Sequence, residues 1–149
     1  MNTRGNPIVI LMAEDDPDDR QLSAEALEEA HLTNHLFFVK DGEELLDFLR
    51  NQGQFSDRNR APRPGIILLD LNMPRKDGRE ALVEIKADPK LRSIPVVVLT
   101  TSQAEEDILR SYDLGVSGFI TKPVDFNSLI TVMKTIGKYW FEVVELPPY

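Results

Sequence analysis

At 149 residues and a formal net charge of −8, the chain has the size of one ordinary domain and too much acid to bind nucleic acid or an anionic membrane through bulk charge. It contains no cysteine, which excludes a disulfide framework and a thiolate metal site. The apolar runs fall far short of a membrane span and residues 1–7 lack the apolar stretch of a secretion signal, so a cytoplasmic protein is expected.

Short apolar runs alternate with stretches of helical periodicity, the pattern of a parallel sheet with crossover helices. Residues 8–13 form a first predicted strand. Asp16 followed by Pro17 is a helix start, a capping side chain and then a proline at the first helical position, and that helix is expected to run to about His31. A strand over 36–39 and a helix over 43–50 follow. Residues 51–65, rich in proline, glycine and arginine and without apolar periodicity, read as a long exposed loop. The continuous apolar run 66–69 suits a central strand covered on both faces. Then come a helix over 79–87 closed by Asp88-Pro89, a strand over 95–100, a helix over 105–114 closed by Gly115, a short strand over 118–120 and a last helix over 126–141. The reading is a single α/β domain with its core over about 7–141 and a tail over 142–149.

Three of these runs end in chemistry: Met12-Ala13-Glu14-Asp15-Asp16, Leu69-Asp70-Leu71-Asn72-Met73-Pro74 and Phe119-Ile120-Thr121-Lys122-Pro123. Acids after the first and third strands belong at the carboxyl edge of the sheet, where open α/β folds bind ligands. Carboxylates of Glu14, Asp15 and Asp70 that meet there repel one another unless a cation joins them. A hard divalent ion such as Mg2+ suits such a site, and Lys122 supplies a point charge for a phosphoryl oxygen. Taken alone, Asp16, Asp18 and Asp19 are cap and first-turn acids. His31 and His35 read as surface histidines, and Arg58, Arg60 and Arg63 as solvated loop charge or a contact for an acidic partner.

Along nearly its whole length the chain resembles the receiver domain of two-component response regulators. The resemblance implies a flavodoxin-like, doubly wound five-stranded parallel sheet of order 2-1-3-4-5 with five helices and a C-terminal extension. It implies Asp70 as the phosphoacceptor, served by a histidine kinase. Asp15 and Asp70 would ligate Mg2+, for which Mn2+ could substitute, with Glu14 acting largely through water and Asn72 through its carbonyl. Thr100 and Lys122 would contact the phosphoryl oxygens. Phe119 would stand at the switch-aromatic position, where tyrosine is frequent and its hydroxyl favours an outward, wet rotamer; phenylalanine lacks that hydroxyl, so a weaker outward preference is expected here.

The segment 70–78, the long loop and the ending Tyr139-Trp140-Phe141-Glu142 resemble the small stand-alone regulators that partner phytochrome-type histidine kinases. Leu129, Ile130, Met133, Ile136 and Trp140 form one apolar stripe on the last helix, which leaves Val132, Phe141, Val143, Val144 and Leu146 over. Apolar surface of this kind marks interfaces. The expectation is a homodimer through Trp140, Phe141, Val143, Val144 and Leu146, with a downstream phosphotransfer protein as a further partner and neither nucleic acid nor membrane bound.

Other readings differ at named positions. An aspartyl phosphatase of the haloacid dehalogenase type would carry a second acid where this chain has Asn72. A receiver-like module that takes no phosphate would be expected to lose an acid, the acceptor or the lysine, and Asp15, Asp70 and Lys122 are all present.

Overall fold

Alternation along the strands sends successive side chains to opposite faces of one sheet, and each face has its own helices to cover it. The computed structural model describes residues 9–30, 35–71, 73, 76–100, 115–121 and 125–138. Five parallel strands, β1 (Val9–Ala13), β2 (His35–Val39), β3 (Ile66–Asp70), β4 (Val96–Thr100) and β5 (Gly118–Thr121), lie in the order β2-β1-β3-β4-β5. Leu11, Ala13, Ile67, Leu69, Val96 and Val98 face α2 (Gly42–Arg50) and α3 (Gly78–Ala87) through Leu45, Phe48, Leu82 and Ile85. Ile10, Met12, Ile66, Leu68 and Leu99 face α1 (Pro17–Glu29) and the C-terminal helix (Phe126–Lys138) through Ala26, Leu27, Leu129 and Met133. All five residues of β3 are buried, as a central strand covered on both sides requires.

The helix boundaries follow local chemistry. Asp16 caps α1 by accepting from the Asp18 N–H at 2.9 Å, with Pro17 at the first helical position. That helix extends to Glu29 with Ala30 as its C-cap, the Ala30 N–H still donating to the Ala26 carbonyl, and His31, its expected end, lies outside the described residues. Asp41 and Asp77 cap α2 and α3, accepting from the Glu44 and Glu80 N–H groups at 2.8 and 3.0 Å. Asp125 accepts from the Ser128 N–H at 2.7 Å, and this bond holds its carboxyl below the ordinary range. Asp88 in extended backbone stops α3 before Pro89.

The segment 51–65 departs from the expected exposed loop. Asn51 adopts left-handed backbone at φ 52° as the C-cap of α2, and its side-chain amide donates to the carbonyls of Phe55 and Ala61 at 3.2 and 2.9 Å. A 3-10 turn over Gly53–Phe55 carries Phe55 onto Phe48, ring centroids 5.2 Å apart, and Ala61 is buried. Strand β2 begins one residue earlier than expected, with exposed His35 paired to Val9. The helix expected over 105–114 and the tail over 142–149 lie outside the described residues.

Candidate metal centre

Strand register brings the acids together. Ala13 pairs with Leu69, so the next positions along the two strands are Glu14 and Asp70, and the Glu14 N–H extends the β2 ladder to the Val39 carbonyl at 2.9 Å. Carboxylate oxygens of Glu14, Asp15 and Asp70 all lie within 4.8 Å of one another. Glu14 and Asp70 are 1% and 2% exposed, while Asp15 faces solvent. Two carboxylates at that separation repel by about 3 kcal/mol at the effective dielectric of a protein surface. A donor set made of oxygen alone, drawn from two strands and with one ligand open to water, fits a hard divalent cation that keeps part of its hydration shell.

The loop after β3 is fixed by close backbone approaches. A Cβ on Gly78 would stand 2.5 Å from the Asp70 carbonyl oxygen, and the Gly78 N–H donates to the Leu71 carbonyl at 3.2 Å. Gly42 packs as tightly on the same loop, since its Cβ would meet the Lys76 carbonyl oxygen at 2.4 Å and its N–H donates there at 2.7 Å. Lys76 is hydrogen-bonded and ion-paired to Glu84 of α3. That bond raises the Lys76 ammonium above its usual range and lowers the Glu84 carboxyl below its own. On the other side of the site, the Arg20 Nε donates to the Glu14 carbonyl at 2.6 Å while its guanidinium lies over the Phe38 ring, 5.5 Å from the centroid. The tight glycines at 42 and 78 were not singled out from sequence, although each follows a capping aspartate and precedes a glutamate at the third helical position, the spacing of a capping box.

Among the other predicted site residues, Thr100 ends β4, one position beyond Leu99, the strand partner of Asp70. It pairs with Thr121, the chain neighbour of Lys122. Phe119 is half-buried against the core that α2 and α3 share. Leu129 and Met133 of the predicted stripe are core residues, and Val132, expected to be left over, also packs against that core, partly buried. Asn72, Lys122, Trp140, Phe141, Val143, Val144, Leu146 and His31 lie outside the described residues. Within the described residues no helix is long and apolar enough to cross a membrane.

A family profile described as the response regulator receiver domain matches residues 10–134. The chain belongs to the response regulator receiver family. Response regulator Rcp1 of Synechocystis sp. is 44% identical over 141 residues, covering 95% of this chain and 94% of its own length. The crystal structure of the phosphorylated cyanobacterial phytochrome response regulator RcpA is similar at 43% identity and a TM-score of 0.81, with 96% of this chain and 100% of that chain covered. The crystal structure of the Mn2+-bound form of Rcp1 is similar at 44% identity and a TM-score of 0.78, covering 95% of this chain and 100% of that one. The protein is therefore a two-component response regulator with the flavodoxin-like receiver fold. Mg2+ is the ion that receivers bind, and the cluster of Glu14, Asp15 and Asp70 has the donors for it.

Proposed function

We propose that this receiver takes a phosphoryl group on Asp70 from a phytochrome-type histidine kinase and passes the signal on by protein contacts. The observation that carries the reading is the meeting of Asp70 with Glu14 and Asp15 at the carboxyl edge of the sheet. A carboxylate oxygen of Asp70 attacks phosphorus, an O–P bond forms, and the P–N bond of the kinase phosphohistidine breaks with its electron pair returning to the imidazole. Asp15, Asp70 and the carbonyl of Asn72 would hold a divalent ion, with Glu14 acting largely through water, and that ion would supply positive charge to offset the phosphoryl oxygens. Thr100 donates its hydroxyl to one phosphoryl oxygen and Lys122 offsets another.

The phosphoryl group adds about −1.5 to −2 charges to the edge, where Thr100 ends β4, and Lys122 follows β5 in the sequence. Drawing both ends inward biases the outer surface beyond β4, with Phe119 as the side chain that follows. Similarity to RcpA, a phytochrome response regulator, supports the choice of kinase. The end of the last helix and the tail over 142–149 form a homodimer through Trp140, Phe141, Val143, Val144 and Leu146. The protein works in the cytoplasm as a single receiver domain, has a phosphotransfer protein as a further partner, and turns over no phosphate monoester.

The test is transfer of radiolabelled phosphate from an autophosphorylated phytochrome-type kinase, beside a histidine kinase of an unrelated sensor class. Faster labelling by the phytochrome-type kinase, lost on chelation of Mg2+, is the expected result. Equal rates from both kinases would remove the assignment of partner.

A further inference from the structure

The braced segment 51–63 and the turn 88–93 enclose an open cleft of about 710 Å³ at the amino-terminal edge of the sheet, opposite the carboxylates. Its volume lies within the range of small-molecule sites, roughly 300–1,000 Å³. Four cationic side chains, Arg50, Arg58, Arg63 and Lys90, line it against the single carboxylate of Asp88, in a chain whose net charge is −8. Leu49, Ala61 and Leu91 give it apolar wall.

Two of the four cations are built into the walls. Arg63 donates to the Lys90 carbonyl at 2.7 Å and to the Ser93 hydroxyl at 3.2 Å, which ties the two sides of the cleft together. A guanidinium has five N–H donors, so these bonds leave three for a ligand. Arg50 is ion-paired to Asp88 and Glu84, each at 3.6 Å, and its charge also suits the C-terminus of α2. Arg58 and Lys90 have no such explanation, for neither forms an ion pair with any described residue. Holding several like charges around one cavity is unfavourable until an anion enters it.

We propose that this cleft binds a small organic anion carrying two or more phosphate groups, gripped by Arg58, Lys90 and the free edge of Arg63. Arginine presents the planar fork that phosphate accepts bidentately. Size selects the occupant: within a Debye length of about 8 Å a small anion meets only the local cations, whereas an acidic protein would also meet the rest of a surface of net charge −8.

The experiment is titration of the 15N-labelled full chain by NMR in the presence of EDTA, with ADP and then pyrophosphate as probes. Expected are saturable amide shifts confined to 51–63 and 88–93, weakened by salt, and a loss of affinity of at least about tenfold in Arg58→Gln/Lys90→Gln, two exposed positions whose replacement leaves the remaining spectrum in place. Pyrophosphate binding as well as ADP would assign the grip to the phosphates alone, and weaker pyrophosphate binding would assign part of it to the apolar wall. Shifts that do not saturate, or that persist unchanged in the double variant, would overturn the proposal. So would tighter binding of a hexaglutamate peptide than of ADP, which would make the cleft a docking surface for an acidic protein segment.

Discussion

On the face of the sheet covered by α2 and α3 the two edges carry opposite charge, and the direction of those helices accounts for much of it. At the carboxyl edge α1, α2 and α3 begin, and Asp16, Asp41 and Asp77 cap them with Asp18, Asp19, Glu43, Glu44 and Glu80 in their first turns. At the amino edge α2 and α3 end, with Arg50 and Lys86 in their last turns and Arg63 and Lys90 close by, whereas α1, on the other face, ends in Glu28 and Glu29 with no basic residue in its last turn. Helix dipoles favour both arrangements, each by a fraction of a kcal/mol to about 1 kcal/mol. They do not account for three carboxylates within 4.8 Å of one another, two of them buried. A parallel α/β fold sorts charge by architecture, and function is marked by the charges that remain after the caps and last turns are assigned.

Five substitutions bear on that contrast. The largest effect is expected at the acidic edge: Asp15→Asn removes a ligand oxygen that faces solvent and should weaken Mg2+ binding on the order of 100-fold, read by calorimetry, while the metal-free protein gains stability from reduced repulsion. An unchanged affinity would remove Asp15 from the ligand set. Gly78→Ala forces a methyl group against the Asp70 and Leu71 backbone and should cost about 1–3 kcal/mol in urea unfolding. Gly115→Ala is the control in crowding, since nothing lies within 4 Å of its Cβ, and there the strain is that of the backbone at φ 70°. Asp41→Ala deletes the cap of α2 and should cost about 1 kcal/mol.

The smallest effect is the pH dependence of the Lys76–Glu84 pair, which is exposed enough to be well screened. Because the Glu84 carboxyl is lowered from 4.5, its contribution is present above that value and fades as pH falls through the folded-state value. The Lys76 ammonium is raised from 10.5, so its contribution holds below that value and fades as pH rises through the folded-state value. Glu84→Gln should flatten the urea midpoint on both limbs, and limbs as steep as those of the wild type would show that the pair contributes nothing.

The sequence carried the acidic edge further than the basic one, for a physical reason. Asp16-Pro17, the buried run into Asp70 and the five strands are local patterns, so the helix start, the central strand and the meeting of acids could be read before any contact was known. The walls of the basic cleft depend on contacts between distant residues: Asn51 with Ala61, Phe48 with Phe55, and Arg63 with Ser93. No periodicity encodes these pairs, which is why 51–65 reads as plain loop. A C-cap asparagine directly after Arg50 was the one local signal there. The glycines at 42 and 78 went unmarked because their role is a close approach by the loop at Lys76 and the backbone at Asp70 and Leu71, residues that only the fold brings to them.

The most direct test of the central claim is the intact mass of the protein after incubation with acetyl phosphate, with Mg2+ or with chelator, for wild type and Asp70→Asn. The account predicts a gain of one phosphoryl group in the wild type that requires Mg2+ and is absent from Asp70→Asn, whose fold stays intact because the amide keeps the shape and lacks the nucleophile. Equal labelling of the variant, or labelling that survives chelation, would contradict it.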